Sequence, residues 1–315
     1  MDALLTGLRA AGEPTRLRLL AICAHGELSV TELTQILRQS QPRVSRHLKL
    51  LVEAGLLERF REGALVYYRI AENTESAFLA RTLVDLLPED DNELNRDLAR
   101  LDQIRQKRAE LASVYFQENA ASWDRIRSLH VAQDKLEQEL LNIVGRQRVD
   151  NFLDIGTGTG RILELLADQI ERGVGIDQSS EMLALARSQL EQANLKHVHV
   201  RKGDMYSMPV ENESFDLTTL HLVLHYSFEP GLVIAEAARA LKPGGRLIVV
   251  DFAPHHEDQL RTEHKHQRLG FPDQEIRSLM ESAGLQPGET REMVGDPLTV
   301  NIWQAEKLPA SRTLN

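Results

Sequence analysis

The residues best suited to chemistry form a glycine-rich loop near the middle of the 315-residue chain. Residues 154–160 read Asp-Ile-Gly-Thr-Gly-Thr-Gly and continue an apolar run that begins at Phe152, which places the loop after a buried strand. Glycines let the backbone turn from strand into helix and let a ligand approach the main chain closely. A dinucleotide fingerprint would have glycine where Arg161 stands, so the pattern here is G-x-G-x-G instead. The predicted ligand contacts of the loop are Asp154, Gly156, Thr157, Gly158 and Gly160.

Acidic residues follow the next two predicted strands of the same region. Asp177 ends the second strand, with Gln178 next to it, and a carboxylate there can accept hydrogen bonds from both hydroxyls of a ribose. Asp204 and Met205 follow the third strand, where an acid and an apolar side chain suit the amine and the ring of an adenine. Together with the loop, these positions predict a site for a nucleotide-like small molecule, which is a more specific signal than a glycine loop alone.

A second chemical signal lies in residues 40–70. In the helix predicted after Ser40, polar and basic side chains share one face, whereas Val44, Leu48 and Leu51 form an apolar back. Such a helix can enter the major groove of DNA, and a basic hairpin after it can lie along the phosphates as a wing. The predicted DNA contacts are Gln41, Arg43, Ser45, Arg46, His47 and Lys49 of the helix, and Arg59, Arg61 and Arg69 of the wing.

The charge of the chain is uneven. The formal net charge is −10, yet residues 1–70 carry ten Arg and Lys against seven Asp and Glu, a local net charge of +3. Only the docking face of a DNA-binding domain must be positive, so this balance is compatible with DNA binding. The N-terminal residues lack the pattern of a secretion signal, and no apolar run approaches the ~18 residues of a membrane span. We therefore expect a cytoplasmic protein.

The periodicity of residues 1–88 predicts an α+β winged helix-turn-helix domain. Apolar residues at helical spacing, with breaks near Gly12–Pro14 and His25–Glu27, precede two β-rich runs joined at Glu62–Gly63. A polar break at residues 88–92 marks the predicted boundary, and residues 89–145 read as a helical linker and the first helices of the next domain. The linker is either a solvated connecting helix or a dimer-forming helix pair. The residues that recur at heptad-like spacing, and so form a seam along one side of this helix, are Leu94, Leu98, Leu101, Arg105, Arg108 and Leu111 or Ala112.

Residues 146–308 predict an α/β, Rossmann-like domain, followed by a tail at 309–315. Five β-rich runs, expected to be separated by four helices, indicate parallel strands with crossovers. Two last runs, near residues 286–293 and 299–306, have no helix between them and predict an antiparallel pair at the edge of the sheet.

Several segments of the N-terminal part occur in an order typical of one family. They are Glu13–Leu20, Ser40–Leu51, Glu53–Leu57, Arg61–Gly63 and Tyr67–Ile70. Over about the first 75 residues, these segments closely resemble the ArsR/SmtB family of winged-helix repressors. The resemblance implies a homodimer that binds an inverted-repeat operator in double-stranded DNA and releases it under the control of a ligand.

The segment that binds metals in some members of that family departs from their pattern. Arsenic- and cadmium-sensing members carry Glu-Leu-Cys-Val-Cys-Asp-Leu, whereas residues 27–33 here read Glu-Leu-Ser-Val-Thr-Glu-Leu. Soft metals and arsenite need thiolate ligands, so we expect that sensing site to be absent and no metal to bind. Cys23 is the one cysteine of the chain, which excludes a Cys-based zinc site and predicts a small core residue.

Two further segments, Phe215-Asp216-Leu217 and Leu241-Lys242-Pro243-Gly244-Gly245, extend the pattern of the glycine loop and its acids. With them, residues 115–306 resemble the class I S-adenosylmethionine (SAM)-dependent methyltransferases, most of all the branch of ubiquinone and menaquinone biosynthesis. The resemblance implies a seven-stranded sheet with an antiparallel seventh strand, and SAM or S-adenosylhomocysteine (SAH) as ligand. By position, it implies these contacts: Asp154, Gly156 and Gly158 with the methionine part, Asp177 with the ribose, Asp204 and Met205 with the adenine, and His221 near the sulfonium.

The residues that would act on a methyl acceptor stay open. The candidates are His221, His225, Tyr226, Tyr115 and His130. No Asn/Asp-Pro-Pro-Tyr motif for a base amine follows the fourth strand, and methylation of arsenite would need several cysteines. Residues 255–266 hold four histidines, which indicate either a metal site or active-site lid, or a polar exposed helix. These histidines are His255, His256, His264 and His266.

The two resemblances allow three functions. The first is a transcriptional repressor whose methyltransferase-like domain senses SAM or SAH, and SAH is favoured because the family resemblance includes SAH-responsive regulators of the methionine cycle. The second is an active methyltransferase for a small-molecule acceptor that also regulates transcription. The third is an enzyme whose winged helix only mediates dimerisation, and the basic residues of helix and wing weigh against it.

Overall fold

The computed structural model describes residues 1–62, 65–71, 75–107, 132–145, 147–264, 266–296 and 298–308. The chain divides into two compact units, Met1–Leu111 and Ala112–Asn315. Among the described residues, no helix is long and apolar enough to cross a lipid bilayer.

The first unit begins with helices whose ends follow the sequence signals. They are α1 (Asp2–Ala11), α2 (Pro14–Cys23), α3 (Val30–Leu37) and α4 (Gln41–Glu53). Glu13 caps α2 by accepting a hydrogen bond from the backbone N–H of Arg16 at 3.0 Å. Ser40 is the N-cap residue of α4, and Gly55 has a φ of +69° just past its end, a conformation that glycine adopts without strain. The expected breaks between these helices are confirmed.

A three-stranded antiparallel sheet completes the winged domain. Its strands are β1 (Leu28–Ser29), β2 (Leu57–Glu62) and β3 (Leu65–Ile70), in the order β1-β3-β2. The predicted β2–β3 hairpin is confirmed, with Phe60 opposite Tyr67 and their rings stacked 5.7 Å apart. The expected turn residue Gly63 lies outside the described residues. Strand β1 was not expected, since two residues are too few to show a period.

The first unit extends past the boundary expected at residue 88. After α5 (Glu75–Asp85), residues 92–107 form a further helix, α6. Leu101 of α6 is buried in the core of the first unit, and Arg18 of α2 donates a hydrogen bond to Asp97 of α6 at 2.9 Å. Residues 92–107 of the predicted linker therefore pack on the winged domain, and the interpretation of this stretch as a solvated helix is wrong. The seam positions 108, 111 and 112 lie outside the described residues.

The second unit is a sheet with helices between its strands. Its strands are β4 (Val149–Ile155), β5 (Ile170–Asp177), β6 (Val198–Lys202), β7 (Phe215–His221), β8 (Leu241–Phe252), β9 (Leu285–Pro287), β10 (Arg291–Met293) and β11 (Val300–Lys307). Its helices are α7 (Gln133–Val144), α8 (Arg161–Leu166), α9 (Ser180–Gln192), α10 (Pro230–Ala240), α11 (Gln259–His264) and α12 (Asp273–Ser282). Separate apolar clusters fill the unit, one packing α7, α8 and α9 and the other packing α10 and α12.

The strand order is β10-β11-β8-β7-β4-β5-β6, with β9 also paired to β11. Strands β4 to β8 pair in parallel, whereas β11 is antiparallel to β8 and to its two short neighbours. The predicted Rossmann-like sheet is confirmed. The expected seven strands become eight in the described residues, because the run at 286–293 is interrupted and forms both β9 and β10. The connection at 203–214 between β6 and β7 contains no helix, so three α-helices, rather than four, separate the first five strands.

The parallel strands place their carboxyl ends at one edge of the sheet. Strand β4 lies between β5 and β7, so the chain leaves it towards one side and later returns on the other. Ligands of open α/β sheets bind in the crevice beyond such a switch point. The glycine loop, which follows β4, therefore stands where this topology favours a ligand.

Candidate functional sites

Helix α4 has the two faces that DNA reading requires. Val44, Leu48 and Leu51 are fully buried in the core of the first unit. On the other face, the predicted contacts Gln41, Arg43, Arg46 and Lys49 are exposed, and Ser45 is half-buried. On β2, Arg59 and Arg61 are exposed two residues apart, so both point to the same side of the hairpin. These side chains together form the candidate DNA surface.

Two predicted DNA contacts lie elsewhere. Arg69 is only 4% exposed, where it donates a hydrogen bond to Glu58 and forms an ion pair with Glu27 at 3.7 Å. A buried guanidinium already engaged by two carboxylates is not available to a phosphate, so the prediction for Arg69 is wrong. His47 turns inward to Glu13, with 3.5 Å between Nδ1 and the carboxylate. Burial and the neighbouring arginines lower the pKa of His47, although Glu13 opposes them.

Ser29 stands where the metal-sensing members of the family have a cysteine, and here it stabilises the start of a helix. Ser29 accepts a hydrogen bond from the backbone N–H of Glu32 at 3.3 Å, and the Glu32 carboxylate accepts one from the backbone N–H of Ser29 at 2.8 Å. This capping box fixes the start of α3. Cys23 is buried, and burial raises the pKa of its thiol to about 12, so it stays protonated. Among the described residues, no group of three or more His, Cys, Asp or Glu side chains is arranged to hold a metal ion.

In the second unit, the glycine loop folds against the end of β5. The backbone N–H groups of Gly156 and Thr157 both donate to the carbonyl oxygen of Ile176, at 2.7 and 2.9 Å. Gly156 has a φ of +70°, and a Cβ there would stand 2.3 Å from the side chain of Val223. Gly158 has a φ of +53°, but a Cβ there would meet nothing within 4 Å. The first glycine is thus required by packing, whereas the second faces open space that a ligand could use.

Asp177 is tied directly to the loop. Its carboxylate accepts hydrogen bonds from the backbone N–H of Gly158 at 2.9 Å and of Ser179 at 2.8 Å. These two bonds orient the carboxylate at the end of β5 and leave further lone pairs for a ligand. Next to it, the backbone N–H of Gly203 donates to the Asp177 carbonyl, which brings the predicted adenine contacts to the same edge of the sheet. Asp204 and Gln178 are exposed there, and Met205 is half-buried.

Asp154 differs from the other acids because it is buried. It is 1% exposed and accepts a hydrogen bond from the Thr219 hydroxyl at 2.6 Å. Burial, with a smaller contribution from the negative charge of Asp177, raises its pKa to about 6. The hydrogen bond from Thr219 acts in the opposite direction. Asp154 therefore has a structural role in the core, directly before the glycines of the loop.

The end of β7 adds a constrained turn to the site. His221 is half-buried at the carboxyl end of the strand, near the loop, and Leu222 after it has a φ of +52°. That conformation is uncommon for a residue with a Cβ and is found mainly where the surrounding structure imposes it. Here it carries the chain to Val223, which packs on Gly156.

Among the candidate acceptor residues, His225 lies against a buried carboxylate. Its Nδ1 lies 2.8 Å from Oδ1 of Asp251, a fully buried carboxylate in β8, and its backbone N–H donates to Oδ2 at 3.1 Å. Tyr226 packs beside it with 4.3 Å between ring centroids, and burial and the charge of Asp251 raise the pKa of the Tyr226 phenol. The candidates Tyr115 and His130 lie outside the described residues.

The histidines of the segment after β8 do not form one exposed face. His266 is buried and stacks on His225 with 4.0 Å between centroids, and His255 is half-buried beside Phe252, whereas His256 is exposed. The backbone N–H groups of residues 267 and 268 both donate to the carbonyl of His225. The interpretation as a polar exposed helix is therefore wrong for His255 and His266, which anchor this segment over the ends of β7 and β8.

Comparisons with known proteins match both units. A model described as a bacterial regulatory protein of the arsR family matches residues 13–59, and one described as a methyltransferase domain matches residues 147–290. The chain joins an ArsR-family regulatory domain to a methyltransferase domain. The fusion and the two fold classes expected from the sequence are confirmed.

Curated relatives share parts of this chain. A 37.1 kDa protein in transposon TN4556 of Streptomyces fradiae is 37% identical over 113 residues, which are 35% of this chain and 32% of that protein. Demethylmenaquinone methyltransferase of Listeria welshimeri is 31% identical over 144 residues, which are 43% of this chain and 60% of that enzyme. The matches thus span less than two thirds of either relative.

A solved structure shows the fold of the methyltransferase domain. It is geranyl diphosphate C-methyltransferase from Streptomyces coelicolor A3(2), in complex with Mg²⁺, geranyl diphosphate and SAH. The TM-score is 0.50 at 16% identity, over 56% of this chain and 78% of that one. At this identity, the likeness concerns the fold alone.

Three positions near the methyltransferase site were missed at the sequence level. Asp251 lies at the carboxyl end of a buried strand, as Asp154 and Asp177 do, and this repeated placement was a usable signal. Arg161, noted only as the residue that breaks a dinucleotide fingerprint, pairs with Glu137 of α7 at 2.6 Å. Glu137 lies in a segment whose sequence shows helical periodicity and little else, so nothing there singled it out.

Proposed function

We propose that this protein is a ligand-responsive, DNA-binding transcriptional regulator, acting as a repressor, whose methyltransferase domain is a sensor for SAM or SAH. The observation that carries the proposal is the joining of an ArsR-family domain, with Arg43 and Arg46 exposed on α4, to a methyltransferase domain whose glycine loop and Asp177 form a preorganised pair. A protein that works on chromosomal DNA would act in the cytoplasm.

The ligand is proposed from the chemistry of the loop edge. The space above Gly158 accepts close contact, and the Asp177 carboxylate is held by two backbone N–H groups in a fixed orientation. Asp204 and Met205, one strand further, offer an acceptor and an apolar side chain to an adenine. The bound SAH in the geranyl diphosphate C-methyltransferase supports the same ligand for this chain. We favour SAH as effector and genes of the methionine and SAM cycle as targets, from the resemblance to SAH-responsive regulators.

A homodimer is proposed from the surface of the first unit. Phe78 of α5 is 80% exposed and Leu86 just after it is 74% exposed, and Leu4, Leu5 and Leu8 of the neighbouring α1 are also exposed. Apolar side chains that lie together on a surface mark an interaction site, and a second copy of the same chain offers a matching surface. A two-fold dimer would present two α4 helices and would therefore read an inverted repeat.

The test is operator binding by fluorescence anisotropy, with the promoter upstream of the protein's own gene as probe. The probe is titrated with the protein alone, with SAH and with SAM. Effector coupling typically changes affinity by ~5–150-fold, so we expect a change of at least severalfold with one of the two ligands. If neither ligand changes DNA affinity although calorimetry shows that it binds, the domain is not a sensor.

The His225–Asp251 pair favours a second function, an active methyltransferase on a small-molecule acceptor that also regulates transcription. SAM supplies an electrophilic methyl group when bound. Asp251 would hold the Nδ1 proton of His225, which leaves Nε2 to accept the proton that an acceptor hydroxyl or amine loses. Asp154, Asp177 and His221 would be shared by both functions.

This second function is tested by SAH formation from SAM, with a cell extract as the source of acceptors and demethylmenaquinone as a first defined acceptor. Accumulation of SAH that disappears in His225→Gln would support the enzyme. Equal accumulation in wild type and His225→Gln would exclude this histidine as the base.

A further inference from the structure

Helix α7 is the first described helix of the methyltransferase unit along the chain. Its apolar side is buried in the core through Leu136, Leu140 and Ile143. At its carboxyl end, the Arg246 guanidinium in β8 donates hydrogen bonds to the carbonyl oxygens of Ile143 at 3.1 Å and Val144 at 2.9 Å. This end of α7 is therefore fixed to the sheet, and along the sequence the other end follows the segment that connects it with the DNA-binding unit.

Near that other end, α7 is bound to the glycine loop by a two-point ion pair. Arg161, the residue directly after Gly160, donates from Nε to Oε1 of Glu137 at 2.8 Å and from Nη2 to Oε2 at 2.6 Å. Gln133, one turn earlier in α7, donates to the same carboxylate at 2.6 Å. The hydrogen bonds from Arg161 are the main reason why the pKa of Glu137 is lowered, so the pair is charged at neutral pH. Bidentate pairs of this kind are strong and fix direction as well as distance.

The loop that carries Arg161 is also the loop that is bonded to Asp177. Gly158, three residues before Arg161, donates its backbone N–H to Asp177, the proposed ribose contact. Gly160, between them, has a φ of +80° and lies so close to Ala186 that a Cβ added at Gly160 would stand 3.3 Å from the Ala186 Cβ. A ligand that orders or displaces this short loop must therefore act on the guanidinium of Arg161. An electrostatic interaction with His221, at the end of β7, also lowers the pKa of Glu137, so the carboxylate is coupled to the same edge of the sheet.

We propose that the Arg161–Glu137 pair transmits the ligand state of the glycine loop to α7, and so to the chain that leads to the DNA-binding domain. This inference rests on the proposed function, because it names the route by which SAH or SAM changes DNA affinity. The pair is a positioning contact: it holds α7 in the arrangement that the loop dictates, while Asp177 and its neighbours hold the ligand.

The experiment compares two substitutions, each of which replaces a carboxylate that contacts the Arg161 guanidinium by an uncharged amide. Glu137→Gln weakens the contact with α7. Glu164→Gln, the control, weakens the contact that Arg161 makes with Glu164 inside α8, at 2.9 Å. For each full-length variant, SAH affinity is measured by calorimetry and the affinity for the same promoter DNA is measured by anisotropy with and without SAH. Circular dichroism and the melting temperature verify that each variant is folded.

We expect Glu137→Gln to bind SAH and DNA separately within about threefold of wild type but to lose most of the SAH-induced change in DNA affinity, which for typical coupling is ~5–150-fold. Glu164→Gln should keep that change. Arg161→Gln, which breaks the pair from its half-exposed side, should reproduce the loss, and the double variant should lose no more than either single variant, because both substitutions remove one interaction.

Each other outcome separates this inference from the function on which it rests. A full SAH response in Glu137→Gln overturns the inference and leaves the sensor function intact. Loss of SAH binding itself in Glu137→Gln also overturns it, because the pair would then belong to the ligand site. If wild-type protein shows no response to either ligand, the sensor function fails and the inference fails with it.

Discussion

At the scale of single residues, the methyltransferase site contains a carboxylate that disfavours folding. Asp154 is buried beneath the loop, and its pKa of about 6 is well above the ordinary value. A buried charge is costly because protein surrounds it in place of water. Such a cost is tolerated where the charge supports a site, since stability elsewhere in the domain compensates for it.

The cost of Asp154 should appear as a pH dependence. The folded state binds this proton more tightly than the unfolded state, so stability falls as the pH rises from about 4 to about 6 and then stays at the lower level. A shift of about two pKa units corresponds to about 2–3 kcal/mol as an upper estimate. Asp154→Asn keeps an acceptor for the Thr219 hydroxyl, at present 2.6 Å away, and removes the charge.

We therefore expect the melting temperature of Asp154→Asn, relative to wild type, to rise between pH 4 and pH 7. Differential scanning calorimetry at several pH values measures the difference directly, and other titrating groups cancel in the comparison. A difference that does not vary with pH would mean that Asp154 has an ordinary pKa.

Asp177 should contribute binding energy for the ligand. Asp177→Ala removes the acceptor of the Gly158 and Ser179 N–H groups and the proposed ribose contact, and we expect SAH affinity to fall by ~1.5–3 kcal/mol, the value of a charged hydrogen bond. Asp216, a carboxylate paired with Lys242 at the amino end of β7, provides the control. Isothermal titration calorimetry should show Asp216→Asn binding SAH as wild type does. Unchanged affinity in Asp177→Ala would remove Asp177 from the ligand site.

At the scale of elements, the loop glycines have separate physical roles. Gly156→Ala would place a Cβ 2.3 Å from Val223 as well as strain a φ of +70°, whereas Gly158→Ala would meet only open space. Left-handed strain costs roughly 1–2 kcal/mol, and overpacking adds ~1–3 kcal/mol at position 156 alone.

Urea unfolding should therefore rank Gly156→Ala clearly below Gly158→Ala in stability. The effect on SAH affinity is a separate test. Gly158→Ala should bind SAH more weakly while staying folded, because its methyl group occupies the space above the loop. Equal stability of the two variants would contradict the packing argument for Gly156.

In the winged domain, substitution of an exposed arginine and of a buried arginine should affect different properties, DNA affinity and stability respectively. Arg46 is exposed on α4, so Arg46→Ala should weaken promoter binding without changing the melting temperature or SAH affinity. Arg69→Ala should lower the melting temperature, because it removes the cation from the ion pairs with Glu27 and Glu58; breaking a buried pair costs ~3–5 kcal/mol. Anisotropy and thermal unfolding of both variants test this. Full promoter affinity in Arg46→Ala would exclude it from the reading surface.

Arg69 also shows which features of the winged domain could be predicted from the sequence and which could not. Two β-rich runs joined at Glu62–Gly63 identified the hairpin, and in the structure β2 has Arg59 and Arg61 exposed on one side. In β3, residues 68–70 are all buried, because the core covers one side and Glu27 and Glu58 cover Arg69 on the other. An alternation rule cannot reveal a buried ion pair, since the partners are distant in sequence.

Contacts between residues distant in sequence also explain why the domain boundary and the candidate methyl-acceptor residues were harder to predict. The polar residues after Leu87 predicted a domain break, but α6 returns to the first unit through Leu101 and Asp97, a long-range packing that composition does not encode. The loop and Asp177 were predictable because each follows a buried strand. The His225–Asp251–His266 arrangement was not, since a stack of imidazoles depends on how three separate segments meet.

At the scale of the whole molecule, the acidic chain must bring a small basic surface to DNA. With a formal net charge of −10, the protein as a whole is repelled by DNA, and one winged domain offers few phosphate contacts. Two domains held together double those contacts and add their binding energies within one complex. The proposed dimer is therefore a requirement for operator affinity as well as a source of symmetry.

Phe78→Glu tests that requirement. It places a charge on the most exposed apolar position of α5, and we expect analytical ultracentrifugation to show a shift from dimer to monomer, with promoter affinity reduced by a factor of ten or more, since avidity adds ~10²–10⁴. Phe228, 76% exposed in the methyltransferase domain, is the matched control, and Phe228→Glu should leave the sedimentation coefficient unchanged. SAH affinity per chain should be the same in Phe78→Glu and wild type, because the proposed ligand residues lie in the methyltransferase domain of a single chain. A dimeric Phe78→Glu with normal promoter affinity would place the interface on another surface, and the inverted-repeat geometry would then need a different pairing of the two α4 helices.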